Sequence, residues 1–180
     1  MLTELFLVRH GEPDRNTGVP YTLPPGPPLL SVGRDQAAQA GAWLADKQVD
    51  HVFTSPFIRA ASTAEIIVAR TGLPLTYVDA LREGAPGEGE AKVRIRTAEL
   101  LAQIEDGPHQ RVALVAHGIV LFVLLKHTTA DRIDLSNHRY DHGNNTPTAG
   151  IWYGRRGESG AWVWDLAFRP TVALGDVVQV

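Results

Sequence analysis

The sequence predicts an α/β protein, a three-layer α/β/α sandwich around a mostly parallel central sheet. Three observations lead to this. Short apolar runs of strand length alternate with longer stretches of helical periodicity. The junctions carry the Ser, Pro and Gly residues that start and stop helices. Two of the apolar runs also end in a His-Gly pair, at His10-Gly11 and His117-Gly118. That repeat points to a crevice at the carboxyl edge of a sheet, where open α/β folds place their ligands.

Residues 4–8 form the first strand, a nearly continuous apolar run as expected for burial on both faces. A Pro/Gly-rich loop, residues 13–30, follows, and Pro24-Pro25-Gly26-Pro27-Pro28 keeps it stiff and non-helical. Ser31 can cap a helix reaching about Lys47, with Ala37, Ala40, Gly41 and Leu44 on one face. His51–Thr54 is a short strand. Ser55-Pro56 reads as an N-cap with proline at the first helical position. The helix it opens carries Ile58, Ala61, Ala64, Ile67 and Val68 and stops near Gly72-Leu73-Pro74. Leu75–Val78 is a further strand, Gly84–Gly89 a glycine-rich loop, and Glu90–Ile104 a helix ended by Gly107-Pro108. Arg111–Ala116 is the central strand, followed by a helix from Gly118 to about His127. Residues 128–146 are polar and carry no periodic signal. Gly150–Tyr153 and Ala161–Phe168 read as two late strands at a mixed edge, with Arg155-Arg156 in a solvated turn between them and a tail beyond.

With 180 residues the chain is expected to form a single domain, 1–180, with a minimal cap region at 84–110. Its 44% hydrophobic and 21% charged residues are those of an ordinary globular protein. A net charge of −3 argues against general binding to nucleic acid or an anionic membrane. The absence of cysteine excludes disulfides, a thiol nucleophile and thiolate-ligated zinc. No basic segment precedes a long apolar run at the N-terminus, and 119–125 is too short to span a bilayer, so the cytoplasm is the expected location. Nothing in the sequence specifies an oligomeric state.

The chemistry gathers at the strand ends. Arg9 offers fixed donors for a phosphate or carboxylate, His10 a nitrogen nucleophile or base, and Gly11 a close backbone approach. Arg59 lies early in the second helix, where the helix N-terminus adds its own attraction for an anion. His117 sits at another strand–helix junction. Two His and two Arg so placed suit a tetrahedral oxyanion.

These residues resemble motifs of the histidine phosphatase superfamily, in its phosphoglycerate mutase-like branch. Arg9-His10-Gly11-Glu12 matches the family's Arg-His-Gly-Glu, with His10 as the nucleophile that becomes phosphorylated. Pro28-Leu29-Leu30-Ser31-Val32-Gly33, with Gln36-Ala37 and Gly41, resembles its next helix start. Thr54-Ser55-Pro56-Phe57-Ile58-Arg59-Ala60 resembles the motif whose arginine binds phosphate. Leu81-Arg82-Glu83 resembles the motif supplying the proton donor, and Ala116-His117-Gly118 the second histidine motif. The resemblance covers most of 4–127, and these motifs in the family's order make it specific. It departs after Glu83: Gly87 and Glu90 fit, but Gly89 replaces an aromatic and Ala91 a glycine.

The resemblance implies a metal-independent phosphatase that hydrolyses phosphomonoesters through a phosphohistidine, with no cofactor. His10, Arg9, Arg59, Glu83 and His117 would be catalytic; Arg9, Asn16, Arg59, His117 and Gly118 would hold the phosphate. Only 33 residues, 84–116, separate Glu83 from His117, so an open site is expected, which favours hydrolysis over mutase chemistry. A phosphorylated small molecule or phosphoprotein is the expected substrate. A phosphoglycerate mutase-type phosphotransferase and a non-catalytic phosphate- or phosphopeptide-binding module are the alternatives. Asp14 and Glu12 rival Glu83 as acids, and Asn16 in Asn-Thr-Gly is equally a turn residue. His138 and His142 have i, i+4 spacing but lie in a turn-rich segment, so no metal site is assigned. Trp152, Trp162 and Trp164 read as packing residues.

Overall fold

The computed structural model describes residues 1–171; the rest of the expected tail, 172–180, lies outside the described residues. Six strands form one sheet: β1 (Glu4–Arg9), β2 (His51–Thr54), β3 (Leu75–Tyr77), β4 (Arg111–Ala116), β5 (Ile151–Arg156) and β6 (Trp162–Phe168). Their order is β3-β2-β4-β1-β5-β6. The first four strands pair in parallel, and β5 and β6 add the antiparallel edge. Four helices cover the sheet: α1 (Ser31–Leu44), α2 (Ile58–Thr71), α3 (Glu90–Glu105) and α4 (Gly118–Thr128). The α/β sandwich with a mostly parallel sheet is the architecture that the sequence predicts. None of the helices among the described residues is long and apolar enough to cross a membrane.

The two-residue alternation of the central strands feeds two separate cores. Leu5 and Leu7 of β1, with Val112 and Leu114 of β4, face the layer of α3 and α4. Phe6 and Val8, with Ala113 and Val115, face α1 and α2. Helices therefore leave β1 and β4, which are neighbours, toward opposite faces. The carboxyl ends of β1 and β4 meet there, at the point where the winding changes side. Within the segment expected as a minimal cap, α3 buries Val93, Leu100, Leu101 and Ile104 in the same core as α4.

Several boundaries move for identifiable reasons. The second helix starts at Ile58, with Phe57 as its N-cap, three residues after Ser55. Ser55 Oγ does accept the Phe57 N–H at 3.2 Å, but it also lies 2.8 Å from His117 Nε2, so it belongs to the site. Ser31 is the first residue of α1 and Leu30 its N-cap, without a side-chain cap bond. Lys47 lies past the end of α1, which closes at Leu44. Arg155 and Arg156 continue β5 instead of turning, and Arg156 pairs with Glu105 and lies over the Trp162 ring.

Candidate active site

The site is built from the carboxyl ends of three adjacent parallel strands. The His10 N–H donates to Ala116 O at 3.0 Å, its carbonyl accepts from Ala149 N at 3.1 Å, and Ser55 N donates to Val115 O at 3.0 Å. Sheet hydrogen bonding thus fixes the backbone carrying His10, Ser55 and His117 before any side chain is considered. Gly11 is required here because a Cβ on it would overlap the Gly33 carbonyl, and one on Gly33 would overlap Glu12 O. The loop after β1 consequently lies flat on the start of α1.

His10 Nδ1 lies 2.8 Å from Gly11 O. A carbonyl only accepts, so Nδ1 carries the proton and Nε2 keeps its lone pair. The ring is buried and 5.3 Å, centroid to centroid, from His117. Burial first, then the charges of Arg59 and Arg9, hold the His10 pKa well below the ordinary imidazole range. His117 is lowered likewise by burial, Arg59 and His10. Both rings are thus neutral at neutral pH, as a nucleophile and a neutral donor require. The Ser55 hydroxyl accepts one N–H and can donate to His117 Nε2, which leaves Nδ1–H of His117 as a donor facing Glu83 Oε2 at 3.6 Å.

Arg9 and Arg59 are both within 1% of full burial. Asp141 binds the Nη1/Nη2 end of Arg9 with two bonds of 2.7 Å, and Thr146 O accepts a third from Nη1 at 2.7 Å. Of the five guanidinium N–H groups, those on the Nε edge are left. Arg59 Nη1 donates to Tyr21 O at 3.1 Å and Nη2 to Glu83 Oε2 at 3.0 Å. Among the described residues, Arg9 Nε, Arg59 Nε and His117 Nδ1 are buried donors without a hydrogen-bond partner. Three such donors in one cluster are costly unless an acceptor reaches them, and a phosphate has the oxygens to do so.

Glu83, the expected proton donor, touches both Arg59 and His117. Its loop is clamped. Glu88 accepts from Arg82 at 2.6 and 3.0 Å and from Arg96 Nε at 3.0 Å, and Arg96 also reaches the carbonyls of Ala80 and Arg82. These hydrogen bonds pull the Glu88 pKa far below the usual carboxylate range. The rival acids lie elsewhere: Glu12 meets Gln36 and Leu30 through its backbone, and Asp14 Oδ1 accepts from Asn16 N at 3.0 Å. Asn16 is exposed in that turn, and no hydrogen bond joins its side chain to a site residue among those described. Gly118 opens α4, where a Cβ would collide with the Asn144 side chain. His138 packs edge-on against Trp152, and His142 lies in a turn at φ 50°. Trp152 is buried, and its indole N–H donates to Thr146 Oγ1 at 2.9 Å.

The expected openness is corrected by these contacts. His10, His117, Arg9 and Arg59 are at most 1% exposed. Tyr21 from the proline-rich loop contacts Arg59 and His10, and Asp141 from the irregular 128–146 segment contacts Arg9. Tyr21 lies over Arg59 at 4.0 Å from ring centroid to guanidinium carbon, with its hydroxyl 3.3 Å from His10 Nε2. Sequence reasoning missed Tyr21, Asp141, Thr146 and the Arg82–Glu88–Arg96 clamp, none of which carries a periodic or motif signal.

Comparison with known proteins identifies the family and the fold. The model of the histidine phosphatase superfamily (branch 1) matches residues 5–91. The chain is 30% identical over 161 residues to "Uncharacterized phosphatase PhoE" of Bacillus subtilis, covering 77% of this chain and 83% of the relative. It is 27% identical over 158 residues to "Probable phosphoglycerate mutase GpmB" of Salmonella choleraesuis, covering 69% and 74%. Among solved structures, the mycobacterial glucosyl-3-phosphoglycerate phosphatase complexed with VO3 superposes with a TM-score of 0.74 at 25% identity, covering 91% of this chain and 98% of that one. The chain belongs to the histidine phosphatase superfamily. That membership supports phosphatase or mutase activity.

Proposed function

We propose that the protein is a metal-independent phosphomonoesterase that works through a phosphohistidine on His10. The observation that carries this reading is the cluster of three buried, unpartnered donors, Arg9 Nε, Arg59 Nε and His117 Nδ1, beside an imidazole whose tautomer leaves Nε2 free to attack. In the first step Nε2 attacks phosphorus and the bond to the leaving oxygen breaks. Protonated Glu83 supplies the proton that this oxygen takes up. In the second, water attacks the phosphohistidine, Glu83 takes the water proton, the N–P bond breaks and His10 is restored. The two arginines and His117 neutralise charge on the equatorial oxygens throughout.

Hydrolysis is preferred over mutase chemistry on the relative named as a phosphatase, 30% identical to this chain. A closed pocket does not itself favour hydrolysis. A phosphorylated small molecule or phosphoprotein acted on in the cytoplasm completes the proposal. His10→Ala should lose activity by on the order of 10³ or more, with the fold retained, because no other side chain replaces the nucleophile. Acid-quench trapping with labelled substrate should yield acid-labile phosphoenzyme from the wild type and none from the variant. A variant keeping a tenth of wild-type activity sinks the assignment. Absence of any phosphoenzyme from the wild type would favour the binding-module reading.

A further inference from the structure

The proline-rich loop contributes a residue that the family motifs do not assign. Tyr21 Oη lies 3.3 Å from His10 Nε2. Since Nδ1 of His10 already donates to Gly11 O, Nε2 can only accept, and the tyrosine hydroxyl is the donor. Two guanidinium groups lie against the ring, Arg59 at 4.0 Å and Arg15 at 4.5 Å. The loop backbone is pinned on the same side of the molecule. Arg59 Nη1 donates to Tyr21 O at 3.1 Å, and Ile58 N donates to Pro25 O at 2.9 Å. Gly26, at φ 73°, packs so closely on Phe57 and Arg59 that a Cβ would clash with both. Tyr21 is therefore a built part of the pocket wall and not the tip of a swinging lid.

We propose that Tyr21 is a further catalytic residue, whose hydroxyl donates to Nε2 of His10 in the free enzyme and to a non-bridging oxygen of the phosphoryl group during transfer. This rests on the phosphatase reading above. A phosphorus atom attacked by Nε2 must come within about 3–3.5 Å of it, so the hydroxyl yields the lone pair as substrate enters. With its ring against Arg59 and its carbonyl bonded to Arg59 Nη1, the hydroxyl stays within reach of the oxygens that arrive. It gives up no proton and gains none; it adds a neutral donor where negative charge spreads over the equatorial oxygens. A preorganised donor of this kind in a water-poor site is worth on the order of 10- to 1000-fold in rate.

The contrary view is that Tyr21 only plugs the pocket, and the two views differ in sign. Tyr21→Phe keeps the ring stack and deletes the donor. The expected result is a fall in kcat/KM of roughly 10- to 100-fold, equal for p-nitrophenyl phosphate and for an alkyl phosphate. Unchanged or raised kcat/KM overturns the proposal, because a plug relieved of its hydroxyl would free the nucleophile. A loss confined to the alkyl phosphate also overturns it, since it would make Tyr21 the leaving-group acid. Calorimetric binding of orthovanadate reads the same contact without turnover. Tyr21→Phe should weaken it by at least about 10-fold, and inorganic phosphate by less, with the melting temperature kept. Equal vanadate affinity in the two proteins overturns the donor role. Failure of the wild type to form phosphohistidine would count against the phosphatase reading and leave the vanadate comparison to judge Tyr21.

Discussion

Arg9 and Arg59 are buried at the same sheet edge and each is paired with one carboxylate, yet the two pairs differ in geometry. Asp141 meets Arg9 end-on through both oxygens at 2.7 Å. Burial pushes the Asp141 pKa up, but the hydrogen bonds and charge of Arg9 outweigh it and hold the group below the usual range. Arg9 thus favours its charged form. Glu83 meets Arg59 through a single oxygen at 3.0 Å, while its other oxygen accepts from the adjacent Gly84 N–H. The oxygen on Arg59 also faces His117 at 3.6 Å. A carboxylate that saturates one arginine edge orients it; one that shares an arginine with a histidine can be displaced by phosphate and can move a proton. On the proposed mechanism, the same residue types would thus serve as scaffold on one wall and as reactant on the other.

The largest effect that could break this division is at Glu83. Glu83→Gln should slow phosphorylation by an alkyl phosphate by about 10²- to 10⁴-fold, because an alkoxide leaves badly without a proton. Phosphorylation by p-nitrophenyl phosphate should fall much less. Pre-steady-state measurement separates this step from dephosphorylation, where the same glutamate activates water. Equal losses on both substrates would move Glu83 to the scaffold side. The Arg82–Glu88–Arg96 clamp makes that outcome unexpected, since it fixes the loop at Arg82, Ala85 and Glu88.

A smaller loss is expected at Asp141. Asp141→Asn keeps the shape but loses the second charged bond to Arg9, so the guanidinium is less firmly aimed. The expected fall in kcat/KM is about 10- to 100-fold, independent of the leaving group, with weaker inhibition by inorganic phosphate. A loss that grows with leaving-group pKa would reverse the comparison and make Asp141 the acid.

The two walls also differ in how far sequence alone reveals them. Arg9, His10 and His117 sit at strand ends and Arg59 at the start of a helix, where local pattern fixes position, while Glu83 follows the short turn of helix at Asp79–Leu81. The six strands and four helices were legible for the same reason: apolar alternation decides which face of β1 and β4 is which. Asp141 and Thr146 were not, because an irregular segment has no period, and its register is set only when Arg9 and Trp152 take their partners. Tyr21 was hidden similarly. The prolines predict a stiff loop but not which residue it lays over Arg59. Ser55 was misread as a cap because its hydroxyl answers to His117, a partner 62 positions away.

The smallest effect is on stability, and it tests whether the two histidines stay neutral between these walls. An unfolded chain protonates each imidazole near pH 6.5. In the folded protein both values lie well below this, through burial first and then the charge of Arg59 with, for His10, that of Arg9. Below pH 6.5 the unfolded state therefore binds more protons than the folded one, so stability rises with pH in that window and is lost as pH falls through it. Each histidine can add up to about 1.4 kcal/mol per pH unit to this slope. Urea melts between pH 7.5 and 5 should show it, and His10→Ala should make the slope shallower whatever its effect on stability at pH 7.5. Identical slopes in the two proteins would mean that His10 gains its proton in the folded state as readily as in the unfolded one. The imidazole would then stand as a third cation between Arg9 and Arg59, with no lone pair at Nε2 to attack phosphorus.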